Sequence, residues 1–240
     1  MRTVALLVVC ALTLLSARTA LADKDDFHLR AEAASDFPLD VAGRVTLEGP
    51  LRLRLSTSLG VLPSQYVDGL NGVLVNAHAY SDGIGQLVGD TFRSSLVFRT
   101  HVGIRPFAKS GFYIDAGYGL VSLGGDANAG RAISDATKWK VPAGSHVNVA
   151  DLNFSLSSKI HMLDVELGWE LTIARHIALR FAFGGAFTMT STTTITPEFS
   201  YPSQASIQPY LNRASGLLDH IYQNYGFVPV LTVGAGYAFF

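Results

Sequence analysis

Short segments in which apolar and polar residues alternate recur along the whole chain. Residues 51–61, LRLRLSTSLGV, show the pattern most clearly: one side carries Leu51, Leu53, Leu55, Leu59 and Val61, and the other carries Arg52, Arg54, Ser56 and Ser58. A β-strand sends successive side chains to opposite faces, so this period of two predicts strands with one apolar and one polar face. We identify eight such segments between Phe27 and Phe240, and they predict an all-β fold.

The charged residues of these segments lie on the polar side of their strands. From the second segment to the seventh they comprise six basic and six acidic residues, which is the balance that an enclosed ion-pair network requires because an unpaired buried charge is costly. We therefore predict a charge network inside a closed sheet, formed by Asp40, Arg44, Glu48, Arg52, Arg54, Arg99, Arg105, Asp115, Asp164, Glu166, Glu170 and Arg180.

The connections between the segments are of two kinds. Residues 48–50, 106–110 and 174–176 are short turns, whereas residues 63–92, 124–153 and 191–227 are long; the first connection, near residues 35–38, is also short. Long structureless loops are uncommon in compact soluble domains. Short turns on one rim and long loops on the other are typical of an up-and-down antiparallel barrel that crosses a membrane.

The alternation leaves open which face points inward, because a soluble barrel around an apolar ligand would hold its apolar face inside. Two further observations favour an apolar exterior. The alternating cores contain none of the lysines that a water-facing strand uses freely (Lys24, Lys109, Lys138, Lys140, Lys159), and aromatic residues lie on the apolar face near the short turns, where a membrane girdle belongs (Phe112, Trp169, Tyr237, Phe239).

The N-terminus predicts export. Arg2 precedes an apolar run from Val4 to Leu15, and the small residues Ala20 and Ala22 suit cleavage after Ala22, so we expect a signal peptide over residues 1–22 and one domain over residues 23–240. Cleavage would remove the only cysteine together with Arg2 and Arg18, leaving 16 basic against 19 acidic residues. This balance gives no basic footprint for nucleic acid. No apolar stretch of twenty residues follows, so we expect no spanning helix.

The pattern as a whole resembles the small outer-membrane β-barrels of Gram-negative bacteria, the class of the OmpA transmembrane domain and OmpX. In that class the last strand carries an assembly signal, a polar residue and a glycine followed by aromatic or apolar residues; here Thr232, Gly234, Tyr237, Phe239 and Phe240 fit that order, with either phenylalanine in the terminal role. The resemblance implies an eight-stranded antiparallel transmembrane barrel in the outer membrane. It also implies contact with outer-membrane lipid and with the barrel-assembly machinery.

The residues with reactive side chains give no strong sign of catalysis or of a cofactor. The seven histidines lack the spacing of common metal sites, so we expect neither a metal nor another cofactor. Asp164, Glu166, His101 and Ser158 could be combined into a lipid-modifying site, but their spacing does not favour one. An eight-stranded barrel is just wide enough to be filled by side chains, so paired charges would plug it.

Two long connections show apolar residues at helical spacing: one through Tyr66, Leu70 and Leu74 toward Leu87, and one through Ile207, Leu211, Ala214, Leu218, Ile221 and Tyr225. We expect short helices that cover the barrel mouth; the alternative is an apolar surface for a partner or lipid. The sequence thus predicts a non-enzymatic barrel with a structural role or a surface-interaction role through its loops, possible extracellular partners included. A small-solute or hydrophobic-ligand channel and a lipid-modifying enzyme are the alternatives.

Overall fold

The computed structural model describes residues 27–76, 94–107, 110–127, 153–173, 176–198, 204–224 and 226–239. The expected signal peptide, residues 1–22, lies outside these ranges. So do Phe240, Tyr225 and the lysines at positions 24, 109, 138 and 140. What was predicted for these residues stays a prediction.

Eight strands form the described fold: β1 (His28–Phe37), β2 (Asp40–Glu48), β3 (Leu53–Val61), β4 (Ser94–Ile104), β5 (Phe112–Ala127), β6 (Phe154–Ile173), β7 (Ile177–Pro197) and β8 (Phe227–Ala238). Each strand pairs antiparallel with the next, and β8 pairs with β1, so the sheet is a closed barrel in sequence order. Closure gives every one of these strands a partner on both sides. The predicted eight-stranded, antiparallel, up-and-down architecture is confirmed.

The two ends of the barrel differ. The short-turn rim carries the β2–β3, β4–β5 and β6–β7 connections. The long-connection rim carries the β3–β4, β5–β6 and β7–β8 connections together with the tight β1–β2 hairpin. The chain closes at the short-turn rim, where the Phe239 amide donates a hydrogen bond of 2.9 Å to the Leu29 carbonyl.

The apolar face of the sheet points outward. Val102 and Phe183 are 62% and 52% exposed on the exterior, whereas the inward-facing Arg54 is 1% exposed. An arrangement with the apolar face inside is therefore excluded for these strands. The period of two explains this arrangement, since each strand has one face on each side of the closed sheet.

Three strands extend farther than the alternation predicts. β5, β6 and β7 contain 16, 20 and 21 residues, so residues 124–127 and 191–197, which were expected in connections, belong to strands, and Lys159 lies within β6. The reason is a change of pattern toward the long-connection rim. There the outward residues become polar, as at Lys159 and Thr192, and inward residues such as Leu156 become buried and apolar.

Two helices lie in the long connections: α1 (Ser64–Asn76) and α2 (Gln204–Asn224), as their apolar spacing predicts. In α1, the Tyr66 ring contacts the Phe37 ring at 5.0 Å, and its hydroxyl lies 2.7 Å from that of Ser35. Helix α2 packs against β7. Among the described helices, none is both long and apolar enough to cross a membrane.

Candidate functional site: the barrel lumen

The lumen collects nearly all of the predicted charges. Eleven of the twelve are buried inside the barrel: Asp40, Arg44, Glu48, Arg54, Arg99, Arg105, Asp115, Asp164, Glu166, Glu170 and Arg180. Ten of them come from inward positions on β2 to β7, and Arg105 directly follows β4. Because inward positions alternate along each strand, these side chains enter the same enclosed volume.

Arg52 is the exception, and its assignment to the lumen is wrong. It ends a 3-10 turn over Pro50–Arg52, has a positive φ of 61° and is exposed. Its Nη1 atom donates to the Pro106 carbonyl oxygen at 3.5 Å. The apolar-polar alternation includes residues 51 and 52, but Pro50 cannot donate to a strand ladder and the chain turns at residues 50–52 before β3 begins.

Several residues outside the predicted set of twelve belong to the network. Arg30, Glu32 and Asp36 all lie on the inward face of β1, and His101 and Tyr113 point inward from β4 and β5. The alternation of the sequence itself puts Arg30, Glu32 and His101 on the polar side of their strands, although the predicted set of twelve did not include them. Asp36 was hidden because we expected it in a turn, whereas β1 continues to Phe37.

These additions change the predicted charge balance. The described lumen holds six arginines, Arg30, Arg44, Arg54, Arg99, Arg105 and Arg180, against eight carboxyl groups, Glu32, Asp36, Asp40, Glu48, Asp115, Asp164, Glu166 and Glu170. The expected equality of six and six is therefore replaced by an acidic excess of two.

Glu170 organises the part of the network nearest the short-turn rim. Its two oxygens accept hydrogen bonds from Arg54 at 3.0 and 2.7 Å and from Arg105 at 2.7 Å, and Arg30 also pairs with it. Arg105 also donates two hydrogen bonds to the Glu48 carboxylate, from Nε at 3.0 Å and from Nη2 at 2.9 Å. Two-pronged contacts of this kind fix the orientation of both groups as well as their distance.

Tyr113 occupies the middle of the lumen. Its ring centre lies 4.0 Å from the Arg54 guanidinium and 4.7 Å from that of Arg180, and its hydroxyl donates to Glu166. Arg180 pairs with Glu166 as well and donates to Glu32 at 3.2 Å. The ring therefore fills space between charged groups and joins three strands through one side chain.

Asp36 and Asp164 anchor the part of the network nearest the long-connection rim. Arg99 bridges them, with hydrogen bonds of 2.6 Å to Asp36 and 2.7 Å to Asp164, and Arg44 also pairs with Asp36. His101 Nε2 lies 3.3 Å from Asp164. The outermost member, Asp40, is fully buried opposite Asp36, and neither of its carboxyl oxygens has a hydrogen-bond partner within the described residues.

An apolar layer lies between these charges and the mouth at the long-connection rim. It consists of Val97, Val121, Leu123, Ile160, Met162, Ala186 and Val230, with Leu39 and Tyr222 packed against it. Helix α2 continues the packing toward the mouth. Its residues Ile207 and Leu211 are fully buried, and Asp219 accepts a hydrogen bond of 2.8 Å from Thr193 of β7. The apolar side of α2 is thus turned into the fold.

The residues that could suggest a lipid-modifying site are not assembled. His101 and Asp164 are adjacent, but the Ser158 hydroxyl lies 2.9 Å from that of Thr193. Ser158 is six residues from Asp164 along β6, which corresponds to about 20 Å in an extended strand. Ile160 and Met162 separate the two positions on the inward face. Within the described residues, no group of three or more histidine, cysteine or acidic side chains is arranged to hold a metal ion.

Four of the five predicted assembly-signal residues belong to the described part of the chain and lie on β8 or directly after it; Phe240 lies outside the described residues. Thr232 is buried and Gly234 also faces the lumen, whereas Tyr237 faces outward at the short-turn rim. The Tyr237 ring stacks on His176 at 5.1 Å and meets the Phe239 ring at 5.2 Å. This places the terminal aromatic group on the exterior.

Comparison with known proteins gives a likeness of architecture only. No family model and no curated protein matches the sequence. Solved structures that match include the N-terminal β-barrel domain of OprF from Pseudomonas aeruginosa, with 8% identity and a TM-score of 0.40 over 90% of this chain and 98% of that one. CarO of Acinetobacter baumannii has 12% identity and a TM-score of 0.38 over 90% of this chain and 99% of that one. A major outer membrane protein of Thermus thermophilus has 12% identity and a TM-score of 0.39 over 89% of this chain and 99% of that one. Likeness at this level says nothing of what this chain does.

Proposed function

We propose that this chain is a closed outer-membrane barrel without enzymatic activity, which serves as a structural element and presents its long connections at the cell surface. The observation that carries the proposal is the combination of an apolar exterior with a lumen filled by paired charges. A soluble protein with this arrangement would expose a large apolar belt to water and bury its charges.

The exterior supports the membrane location. Exposed apolar side chains surround the barrel on all eight strands, a far larger continuous patch than soluble monomers show. Near the short-turn rim, the outward rings of Phe112 and Trp169 lie 5.0 Å apart, and Phe107 lies 6.2 Å from Phe112. Aromatic groups at that level fit the interface between hydrocarbon and headgroups.

The lumen supports a closed barrel rather than a channel. Arg54, Glu170 and Arg105 cross the interior near the short-turn rim with hydrogen bonds of 2.7–3.0 Å. The apolar layer and α2 then fill the other end. A conducting path would have to break several buried ion pairs at once, and each rupture leaves an uncompensated charge in a low-dielectric interior.

The long connections support an interaction role, because α2 already packs into the mouth and leaves its polar side outward. Its exposed residues include Gln208, Asn212 and Arg213. Outer-membrane lipid and the barrel-assembly machinery are the partners that such a barrel needs for insertion, and an extracellular partner would bind through the connections.

Planar-bilayer recording of the refolded chain, residues 23–240, tests the closed lumen. We expect no steady discrete openings. A second protein that lacks residues 204–224 tests whether α2 or the charge network closes the lumen. We expect it to show no openings either, because the deletion leaves the charge network intact. Discrete openings of the intact chain would overturn the proposal. Recovery of the intact protein in the soluble rather than the outer-membrane fraction of the producing cells would overturn the membrane location.

Replacement of the connections tests the interaction role. Exchanging residues 198–226 for a short hairpin turn should abolish any cell-surface binding that the intact protein confers, while Arg54→Gln should leave that binding unchanged wherever the variant still folds. Loss of binding with the lumen variant alone would contradict a role of the connections.

A further inference from the structure

The exterior of the barrel carries one small basic cluster. Among the outward strand side chains that the structure describes, Lys159 and His161 are the only basic ones. Both lie on β6, two positions apart, so they point to the same side of the sheet.

The cluster lies where the outward face changes from apolar to polar. Toward the short-turn rim the outward face is apolar: Leu163 on β6 and Met189 and Phe187 on β7 are all exposed. Toward the other rim, Lys159 is paired across the sheet with Ser122 on β5 and Thr192 on β7. His161 is paired with Leu120 and Thr190, and the register of β6 with β7 shifts between His161 and Met162.

The polar atoms of the cluster are available to an external group. The His161 Nδ1 atom shares a hydrogen bond with the Tyr118 hydroxyl, which fixes the ring, while no hydrogen bond to Nε2 occurs within the described residues. Lys159 is exposed and has neither an ion pair nor a hydrogen bond in the part of the chain that the structure describes. In the lumen, by contrast, the arginines are held by carboxylates.

We propose that Lys159 and His161, with the hydroxyls of Ser122, Thr190 and Thr192, bind the phosphate of a lipid headgroup in the leaflet on the long-connection side. This inference rests on the proposed membrane location. A phosphate is the anion that an unpaired ammonium and several hydroxyl donors suit, and a lysine at this level extends its charged end into the headgroup region. The exposed Leu163 and Phe187, on the short-turn side of the cluster, offer an apolar surface to the acyl chains of the same lipid.

The arrangement gives selectivity as well as attachment. The residues paired across the sheet with Lys159 and His161 are uncharged, so an anionic headgroup meets no repulsion from these neighbouring positions. The paired hydroxyls on β5 and β7 stand on both sides of the lysine, so a phosphate above β6 can be contacted from three strands. A zwitterionic headgroup shields its own phosphate and gains less from the same donors.

Spin-labelled lipids measure this selectivity. Residues 23–240 are refolded into phosphatidylcholine vesicles, and electron paramagnetic resonance gives the association of labelled phosphatidic acid relative to labelled phosphatidylcholine. We expect the wild-type barrel to prefer phosphatidic acid, and Lys159→Gln to lower the preference about fivefold. Arg213→Gln, which removes an exposed positive charge from α2, is the matched control and should keep the wild-type preference.

The outcomes separate the site from the fold. Equal selectivity of Lys159→Gln and wild type, with both inserted, would overturn the lipid site and leave the membrane barrel standing. Competition by millimolar inorganic phosphate that abolishes the preference would also overturn it, in favour of a free-anion site. Failure of the wild-type chain to insert into vesicles would instead overturn the proposed function. A preference that falls in Lys159→Gln and in Thr192→Val, but not in Arg213→Gln, supports the site.

Discussion

The guanidinium group of Arg54 lies 4.0 Å from the centre of the Tyr113 ring in the middle of the lumen. The guanidinium of Arg180 approaches the same ring at 4.7 Å, so one aromatic side chain contacts two buried cations. Each of these arginines also pairs with a glutamate, Glu170 and Glu166 respectively. The ring therefore links the ion pairs around Glu170 with those around Glu166.

Replacement of Tyr113 should separate the effects of its hydroxyl and its ring. Tyr113→Phe keeps the ring and removes the hydrogen bond to Glu166, so we expect a loss of about 1.5–3 kcal/mol in the free energy of unfolding. Tyr113→Leu also removes the contact with both guanidinium groups and should cost more. Urea unfolding in lipid vesicles, followed by tryptophan fluorescence, measures both values. Equal stability of the two variants would contradict a role of the ring.

Arg54 and Arg52 form a matched pair of the same residue type in different surroundings. Arg54→Gln leaves Glu170 and Asp115 buried with fewer positive partners, and we expect about 3–5 kcal/mol of destabilisation. Arg52→Gln changes an exposed turn residue and should stay within about 0.5 kcal/mol of wild type. The same unfolding assay compares them. An equally large loss for Arg52→Gln would show that its side chain enters the lumen after all.

Asp40 should tolerate loss of its charge. Asp40→Asn breaks no hydrogen bond within the described residues and removes a like charge facing Asp36, so we expect unchanged or increased stability. Asp164→Asn is the control, because it weakens contacts with Arg99 and His101 and should cost about 1.5–3 kcal/mol. A greater loss for Asp40→Asn than for Asp164→Asn would mean that Asp40 has a partner in the folded protein.

Two inserted methyl groups test the packing around the network. A Cβ atom at Gly168 would collide with the Tyr113 hydroxyl and ring, whereas a Cβ at the outward-facing Gly43 would meet nothing within 4 Å. Gly168→Ala should therefore destabilise by about 1–3 kcal/mol, while Gly43→Ala should not. Because Tyr113→Leu removes the ring that the new methyl group strikes, adding Gly168→Ala to Tyr113→Leu should cost less free energy of unfolding than adding Gly168→Ala to the wild type. An equal cost in both would place the clash elsewhere.

Truncation tests the terminal strand. Removal of Tyr237–Phe240 takes away the outward aromatic group that packs on His176 and shortens β8 at the seam with β1. We expect loss of membrane assembly in cells, measured as the amount of folded, heat-modifiable protein in the outer-membrane fraction. Removing only Phe240 asks which phenylalanine matters. Normal assembly of the longer truncation would show that the assignment of the assembly signal is wrong.

Much of the architecture follows from local pattern. The alternation at 51–61 places Leu55 outside and Arg54 inside without reference to the rest of the chain, and the structure has both residues there. Failures occurred where the pattern changes. Arg52 continues the alternation into a turn, and Asp36 was predicted to lie in a turn. The parts of β6 and β7 nearest the long-connection rim were not predicted, because polar side chains such as Thr192 replace apolar ones on their outer face.

The sequence by itself determined that eight two-faced strands form a barrel with charges inside, because the face on which a side chain lies is a local property of an extended backbone. Only the tertiary structure decided which charges meet. Arg54 on β3 pairs with Asp115 from β5 and with Glu170 from β6. These contacts depend on strand order and register around the closed sheet. The acidic excess of two, the burial of Asp40 opposite Asp36 and the packing of α2 into the mouth also depend on closure, since it brings residues distant in sequence to the same level of the lumen.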